Sequence, residues 1–357
     1  SDTYMQSLGT AAMPAGMSAD EILTVPSADM ALVVDDGAGG PGETGIIPLM
    51  DINRFSPDFL TITGSLDVSA MTMGVSGACM DPSGGLLILA EYGDPGSAVD
   101  ATVHVFERDP ELPGGFAPVT SLTVPGTPVV KPVFHPTGLR CYLPVADPEG
   151  PALIVLDTDP SSPGFLGVSG SMPLPGSPGG PVPGSAAFTP DGGWLIALTR
   201  DAGATELQDA VMIDTSSPDS PVVRDVEPLG GGGAGACNVD VSPLGVRAVA
   251  SVEGEGLYHI ELVTQHDSLH VVGRRITASS ITGGSYSVDG SIYYQVIPDE
   301  DTFEAADFSA AQTLELVSGG GQSGVAGSLL PARLRVKVSA AGGVGLGGIP
   351  VRFSVYE

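Results

Sequence analysis

Short apolar runs separated by turn-forming residues recur along nearly the whole chain, and their lengths are those of strands. Between 185 and 229 four such runs stand in line: SAAFTP at 185–190, WLIALT at 194–199, AVMIDT at 210–215 and VVRDVEPL at 222–229. The stretch before it gives VKPVFHP, RCYLPV, ALIVLDT and FLGVSGSMPL, and the one before that GACMDP, LLILAEY, TVHVFER and APVTSLTV. Runs this short, rich in Val, Ile, Leu and Phe and bounded by Gly, Pro, Asp and Ser, predict β-strands. None is long enough to cross a membrane as a helix, which takes about 20 apolar residues.

One turn returns with a fixed period. It reads DPSGG at 81–85, HPTG at 135–138, TPDGG at 189–193 and SPLG at 242–245, with degenerate copies VPSAD at 25–29 and SVDG at 287–290. Pro26, Pro82, Pro136, Pro190 and Pro243 are 56, 54, 54 and 53 residues apart, and Val288 takes the same place 45 further on. Proline pre-sets φ at the second turn position, and Asp or Gly suits the positions after it. Four antiparallel strands per period predict an all-β chain folded as a β-propeller. Six copies predict six blades, or seven if one degenerate copy goes unmatched.

The last copy supplies three strands, SYSV, SIYYQV and FEAADF at 303–308. The N-terminal TYMQSLGTAAMPAG at 3–16 matches the fourth-strand pattern FLGVSGSMPLPG and arrives before any first strand of its own. It is therefore predicted to close the last blade, which leaves no open sheet edge. The propeller then occupies 1–311.

Residues 312–357 follow another pattern. Leu334, Val336 and Val338 alternate with Arg333, Arg335 and Lys337, and Val351, Phe353 and Val355 alternate around Arg352. These are two amphipathic strands, and they are predicted to be assembly surfaces. Charge divides at the same place. Residues 322–357 hold four bases and one acid, +3, so the remaining nine bases and 41 acids give −32 within the total of −29.

That acidity comes from scarce bases, 13 against 42 acids, with Lys131 and Lys337 the only lysines. Such a body repels nucleic acid and anionic lipid, which excludes both as general partners and leaves protein. Gly 51 and Pro 32 punctuate strands and do not form a low-complexity tract. The chain opens SDTYMQ, as a mature secreted form or a piece of a longer product would. Cys79, Cys141 and Cys237 form no CxxC, so buried free thiols are expected rather than a metal cluster.

Chemistry is sparse. His104, His135, His259, His266 and His270 form no HxH or HExxH, and satisfied structural imidazoles are expected. There is no GxSxG, and the repeat brings together no Ser-His-Asp set. Acidic loops at Asp35, Asp36 and Glu43, at Asp94 and Asp100, and at Asp147 and Glu149 could offer oxygens to calcium, though none has the spacing of a dedicated calcium loop. No other cofactor is expected. The Gly-rich LGGGGAGAC at 229–237 lacks the Lys-Ser/Thr of a phosphate loop. Trp194 is expected to pack between blades. A central channel, the default ligand site, would be lined by first-strand residues such as Ser185, Thr189, Asn238 and Asp240.

TPDGGWLIAL followed by VMIDT resembles the bacterial surface and periplasmic propellers whose repeat reads SPDG, LYV and VIDT, over roughly 20–310. LELVSGGGQSGVAGSLLPARLRVKVSAAGGVGLGGIPVRFSV resembles the first half of an invasin- or intimin-type bacterial Ig-like domain, without that family's later strands. Together the resemblances imply an extracellular, non-catalytic structural or adhesion protein. A propeller head would sit on an Ig-like stalk and assemble head to tail into a filament or layer. The alternative they imply is a lactonase-like hydrolase with a divalent metal in the channel.

Overall fold

The computed structural model describes residues 13–14, 17 and 335–339. It also describes 21–318, apart from 26–27, 36–44, 72–73, 92–100, 113, 129–130, 148–149, 176–180, 202–207, 231–236, 253–255, 265, 276–282, 288, 291, 298–301 and 308–312. Among the described residues there is no helix, and every strand pairing is antiparallel.

Among the described residues, six sheets of three or more strands follow one another along the chain, each pairing its strands in sequence order save for β9 in the third. The first holds β1 (Glu21–Val25), β2 (Met30–Val34), β3 (Ile46–Asp51) and β4 (Ile62–Asp67). The second holds β5 (Val75–Met80), β6 (Leu86–Glu91), β7 (Ala101–Arg108) and β8 (Phe116–Val124). In the third, β9 (Thr127–Pro128) and β10 (Val133–Phe134) both pair with β11 (Arg140–Asp147), which continues to β12 (Gly150–Asp157) and β13 (Val168–Pro173). The fourth is β14 (Pro181–Phe188), β15 (Trp194–Asp201), β16 (Gln208–Asp214) and β17 (Val222–Gly230). The fifth is β18 (Cys237–Val241), β19 (Arg247–Val252), β20 (Gly256–Val263) and β21 (Ser268–Arg275). The sixth has three described strands, β22 (Gly283–Tyr286), β23 (Ile292–Ile297) and β24 (Thr302–Asp307). A separate pair, β25 (Thr313–Ser318) and β26 (Arg335–Ser339), follows.

Alternate side chains of the second and third strands feed two different cores, which explains why these runs are apolar without interruption. In β6, Leu87 and Leu89 face the first sheet, while Ile88 and Ala90 pack with Cys141, Leu143 and Val145 of the third. In β15, Leu195 and Ala197 join the third sheet, and Ile196 and Leu198 join the fifth. A strand buried on both faces carries no polar alternation. Outer strands keep it: Ile62–Asp67 runs half-buried, exposed, half-buried, exposed, buried, exposed.

The first strands β1, β5, β10, β14, β18 and β22 lie side by side in that order. Sheets stacked face to face around adjoining first strands make a β-propeller. The periodic turn is built the same way each time. At 135–140, His135 N–H donates to Arg140 O at 2.9 Å and Gly138 N–H to His135 O at 2.8 Å. The same two bonds recur at 81–86, 189–194, 242–247 and 287–292. Turns of neighbouring sheets also touch, because Gly138, Gly192, Gly245 and Gly290 each approach the turn before them, at Pro82, Pro136, Pro190 and Pro243. The Asp-Thr pairs closing third strands fasten this layer: Thr158 and Thr215 hydroxyls donate to the carbonyls of Gly138 and Gly192 at 2.8 and 2.7 Å.

Among the described residues, each of these sheets carries one copy of the turn, between its first strand (β10 in the third) and that strand's partner. Closure of the last blade by residues 3–16 lies outside the described residues except at Met13 and Pro14, and Met13 packs against Ala31, Val33 and Met50 of the first sheet.

Candidate functional site

First strands converge on the propeller axis, and there the chain places charges from several sheets. Lys131, just before β10, donates from Nζ to Glu21 Oε1 of β1 at 3.0 Å. Its backbone runs hard against Gly77 of β5, where a Cβ would lie 2.3 Å from the Lys131 Cα, so glycine is required at that crossing. Tyr293 of β23 donates its hydroxyl to Asp240 Oδ2 of β18 at 3.3 Å. Residues of the first, third, fifth and sixth sheets thus meet through two bonds.

Their electrostatics are coupled. Burial opposes the Lys131 charge, but the Glu21 carboxylate, helped by Asp240, outweighs it and holds the lysine above its ordinary range. The Lys131 side chain keeps 45% of its surface accessible. Burial pushes the Asp240 carboxyl up to about 6 against the pull of Lys131 and the Tyr293 hydroxyl.

Of the channel residues expected from sequence, Asp240 belongs to this cluster and Asn238 is half-buried on the same strand. Ser185 is buried between first strands, accepting a bond from Val239 N–H at 2.6 Å. Thr189 belongs to the periodic turn, not to the channel lining: its hydroxyl bonds Asp191 Oδ1 at 2.6 Å and accepts from Trp194 N–H at 3.1 Å. Trp194 packs against the core between the fourth and fifth sheets. Lys131 and Tyr293 were not expected in the channel. Being one of two lysines in an acidic chain was the available signal for the first.

A second constellation brings together a serine, a histidine and a glutamate, where the sequence signals no Ser-His-Asp set. Glu91 ends β6, His104 lies in β7, and Ser121 lies in β8, directly opposite His104. His104 Nε2 is 3.0 Å from Glu91 Oε2, and His104 Nδ1 is 3.0 Å from Ser121 Oγ. His104 and Glu91 side chains are 13% and 9% exposed, whereas Ser121 is exposed. His104 and Ser121 line a cavity of about 650 Å³ between the outer strands of the first two sheets.

Among the described residues, no group of three or more His, Cys, Asp or Glu is placed to hold a metal ion. Asp36, Glu43, Asp94, Asp100 and Glu149 lie outside the described residues. Cys79 and Cys141 are buried free thiols, their sulfurs 3.7 Å apart. Of the predicted assembly residues, Arg335 is exposed at the start of β26, and Val336, Lys337 and Val338 continue that strand. Arg333, Leu334, Val351, Arg352, Phe353 and Val355 lie outside the described residues.

The sequence matches no protein-family profile and no curated protein. The structure is similar to hydrazine synthase of Kuenenia stuttgartiensis, with TM-score 0.59 and 14% identity over 80% of this chain and 82% of that one. It is also similar to the Cps50 (Swd1) β-propeller domain of Myceliophteria thermophila, with TM-score 0.55 and 11% identity over 83% of each chain. At such identity the likeness establishes the propeller fold alone. No helix among the described residues is long and apolar enough to cross a membrane.

Proposed function

We propose that the protein is an extracellular interaction module whose propeller head is carried by an Ig-like tail, and that the tail drives self-association. The observation that carries this reading is the two-stranded sheet beyond the propeller. Leu314 pairs with Val338, Leu316 with Val336, and Glu315 with Lys337, so apolar pairs alternate with a charged one. A lone two-stranded ribbon is marginal in water and gains stability by taking further strands. Its basic residues meet a body that is otherwise strongly acidic. That favours contact between the tail of one copy and the propeller of the next over tail against tail.

The test is sedimentation of the chain across a concentration series at low and moderate salt. Growing assemblies that weaken with salt, and more strongly on reversing Arg333, Arg335, Lys337 and Arg352 to Glu, support the reading. A monomer at high concentration and low salt, with β25 and β26 still protected from hydrogen exchange, rejects it.

A further inference from the structure

We propose that Ser121 is an acyl-accepting nucleophile, activated by His104 with Glu91 as the positioning residue, and that the adjoining cleft takes carboxylic esters carrying no negative charge beside the scissile bond. The three side chains come from three consecutive strands of one sheet, so their order is fixed by strand pairing and not by a mobile loop. An ionised Glu91 can only accept, so His104 Nε2 must donate to it. The neutral imidazole is then left with Nδ1 as the acceptor facing the Ser121 hydroxyl at 3.0 Å. The two ring nitrogens exchange the places they hold in the best-known serine triads. The proton relay asks only that one nitrogen face the nucleophile and the other the acid.

The burial gradient fits these roles. The acid and the base are shielded, and the serine opens to the cleft. Leu66, Met71, Phe106 and Phe116 form a buried apolar floor suited to an acyl or alkyl arm. At the rim Asp67 accepts from Ser69 N–H at 2.9 Å, and the hydroxyl and N–H of Ser69 hold its carboxyl below the usual range. That charge, on a body of net −29, disfavours anionic esters. Opposite Val105 and Phe106 the β8 register slips, leaving Val119 without a partner, and such bulges re-aim neighbouring side chains beside sites.

In the reaction Ser121 Oγ bonds to the ester carbonyl carbon as its proton passes to His104 Nδ1, giving an imidazolium held by Glu91. Collapse breaks the carbon–alkoxy bond, and Nδ1 returns the proton to the departing alkoxide. Water then repeats the sequence on the acyl-serine, releasing the acid and restoring Ser121.

The full chain is treated with a fluorophosphonate probe and with p-nitrophenyl acetate, and adducts are mapped by mass spectrometry. The expected result is one adduct, on Ser121, with nitrophenol release that Ser121→Ala abolishes. His104→Gln should slow both by about 100-fold or more, the usual scale of general-base assistance. Glu91→Gln should lower kcat less, with KM unchanged, and Glu91→Asp should restore part of the rate, a split and a rescue that a merely structural network would not show. Ser121 is exposed, so Ser121→Ala folds and is checked by an unchanged melt. An unlabelled Ser121 in folded protein, an adduct elsewhere, equal labelling in His104→Gln, or an adduct without ester turnover would each overturn the proposal.

Discussion

Gly192 lies directly against His135 of the preceding turn. Its φ is +72°, a Cβ built there would sit 2.6 Å from the imidazole, and its carbonyl is 3.0 Å from His135 Nε2. Two demands therefore fall on one residue, a left-handed backbone and the absence of a side chain. Gly138 meets only the first in full, since its nearest neighbour is Pro82 Cδ at 3.4 Å. Gly192→Ala should cost about 2–4 kcal/mol and Gly138→Ala about 1–2 kcal/mol, from backbone strain with and without overpacking. Denaturant midpoints decide this. Equal costs would show that the imidazole yields.

The same contact shows what could be read before the fold was seen. Proline and glycine fix backbone angles locally, so the period of the turns and the strands flanking them stand out from residue types alone. The apolar runs at 185–190, 194–199 and 210–215 locate the strands Pro181–Phe188, Trp194–Asp201 and Gln208–Asp214 but not their ends. The axial contact of Lys131 with Glu21 joins residues 110 positions apart, and nothing local signals it. Ser121 and His104 were hidden by register. The bulge at Val119 changes which β8 residues share a face, and with it which side chain meets the histidine.

Asp240 should make stability depend on pH in the direction opposite to a salt-bridged aspartate. Its folded pKa of about 6 lies above the ordinary value of 3.8, so the folded chain binds more protons between those values. The contribution is favourable below about pH 4, is lost as pH rises to about 6, and stays lost above. Asp240→Asn, which keeps a partner for Tyr293, should therefore stabilise the protein at pH 7.5 by on the order of 2 kcal/mol and nothing at pH 4. Urea titrations of both proteins at the two pH values test it. An equal difference at both would remove the role of burial.

Cys79 and Cys141 touch across the second and third sheets, yet burial pushes the Cys79 thiol up and its neighbour adds to the effect. Thiolate is the reactive form, so Cys79 should stay inert in folded protein, and fully buried Cys141 should be out of a reagent's reach. A thiol reagent should modify them only after denaturation, and a reductant should leave the melting temperature unchanged. A melt lowered by reductant would reveal a bond stapling the two sheets, worth about 2–4 kcal/mol.

The N-terminal segment should carry the last join of the ring. Five sheets have four or more strands and the sixth has three among the described residues, which leaves its outer edge for one more. Ala31 and Val33 face away from the core shared by the first two sheets, and Met13 packs on that face, where a strand completing the sixth sheet would arrive. Residues 3–16 also carry the fourth-strand pattern of the repeat. Removing 1–16 would expose both this apolar face and a row of unpaired backbone groups, an arrangement that seeks strands from other molecules. The truncated protein should lose about 3–5 kcal/mol, the scale of the larger single defects in a core, and aggregate as concentration rises. Met13→Asp, which spares the backbone pairing, should lose stability without comparable aggregation, separating the packing contact from the strand edge. Unchanged melting and solubility after the deletion would mean that the ring closes by other residues.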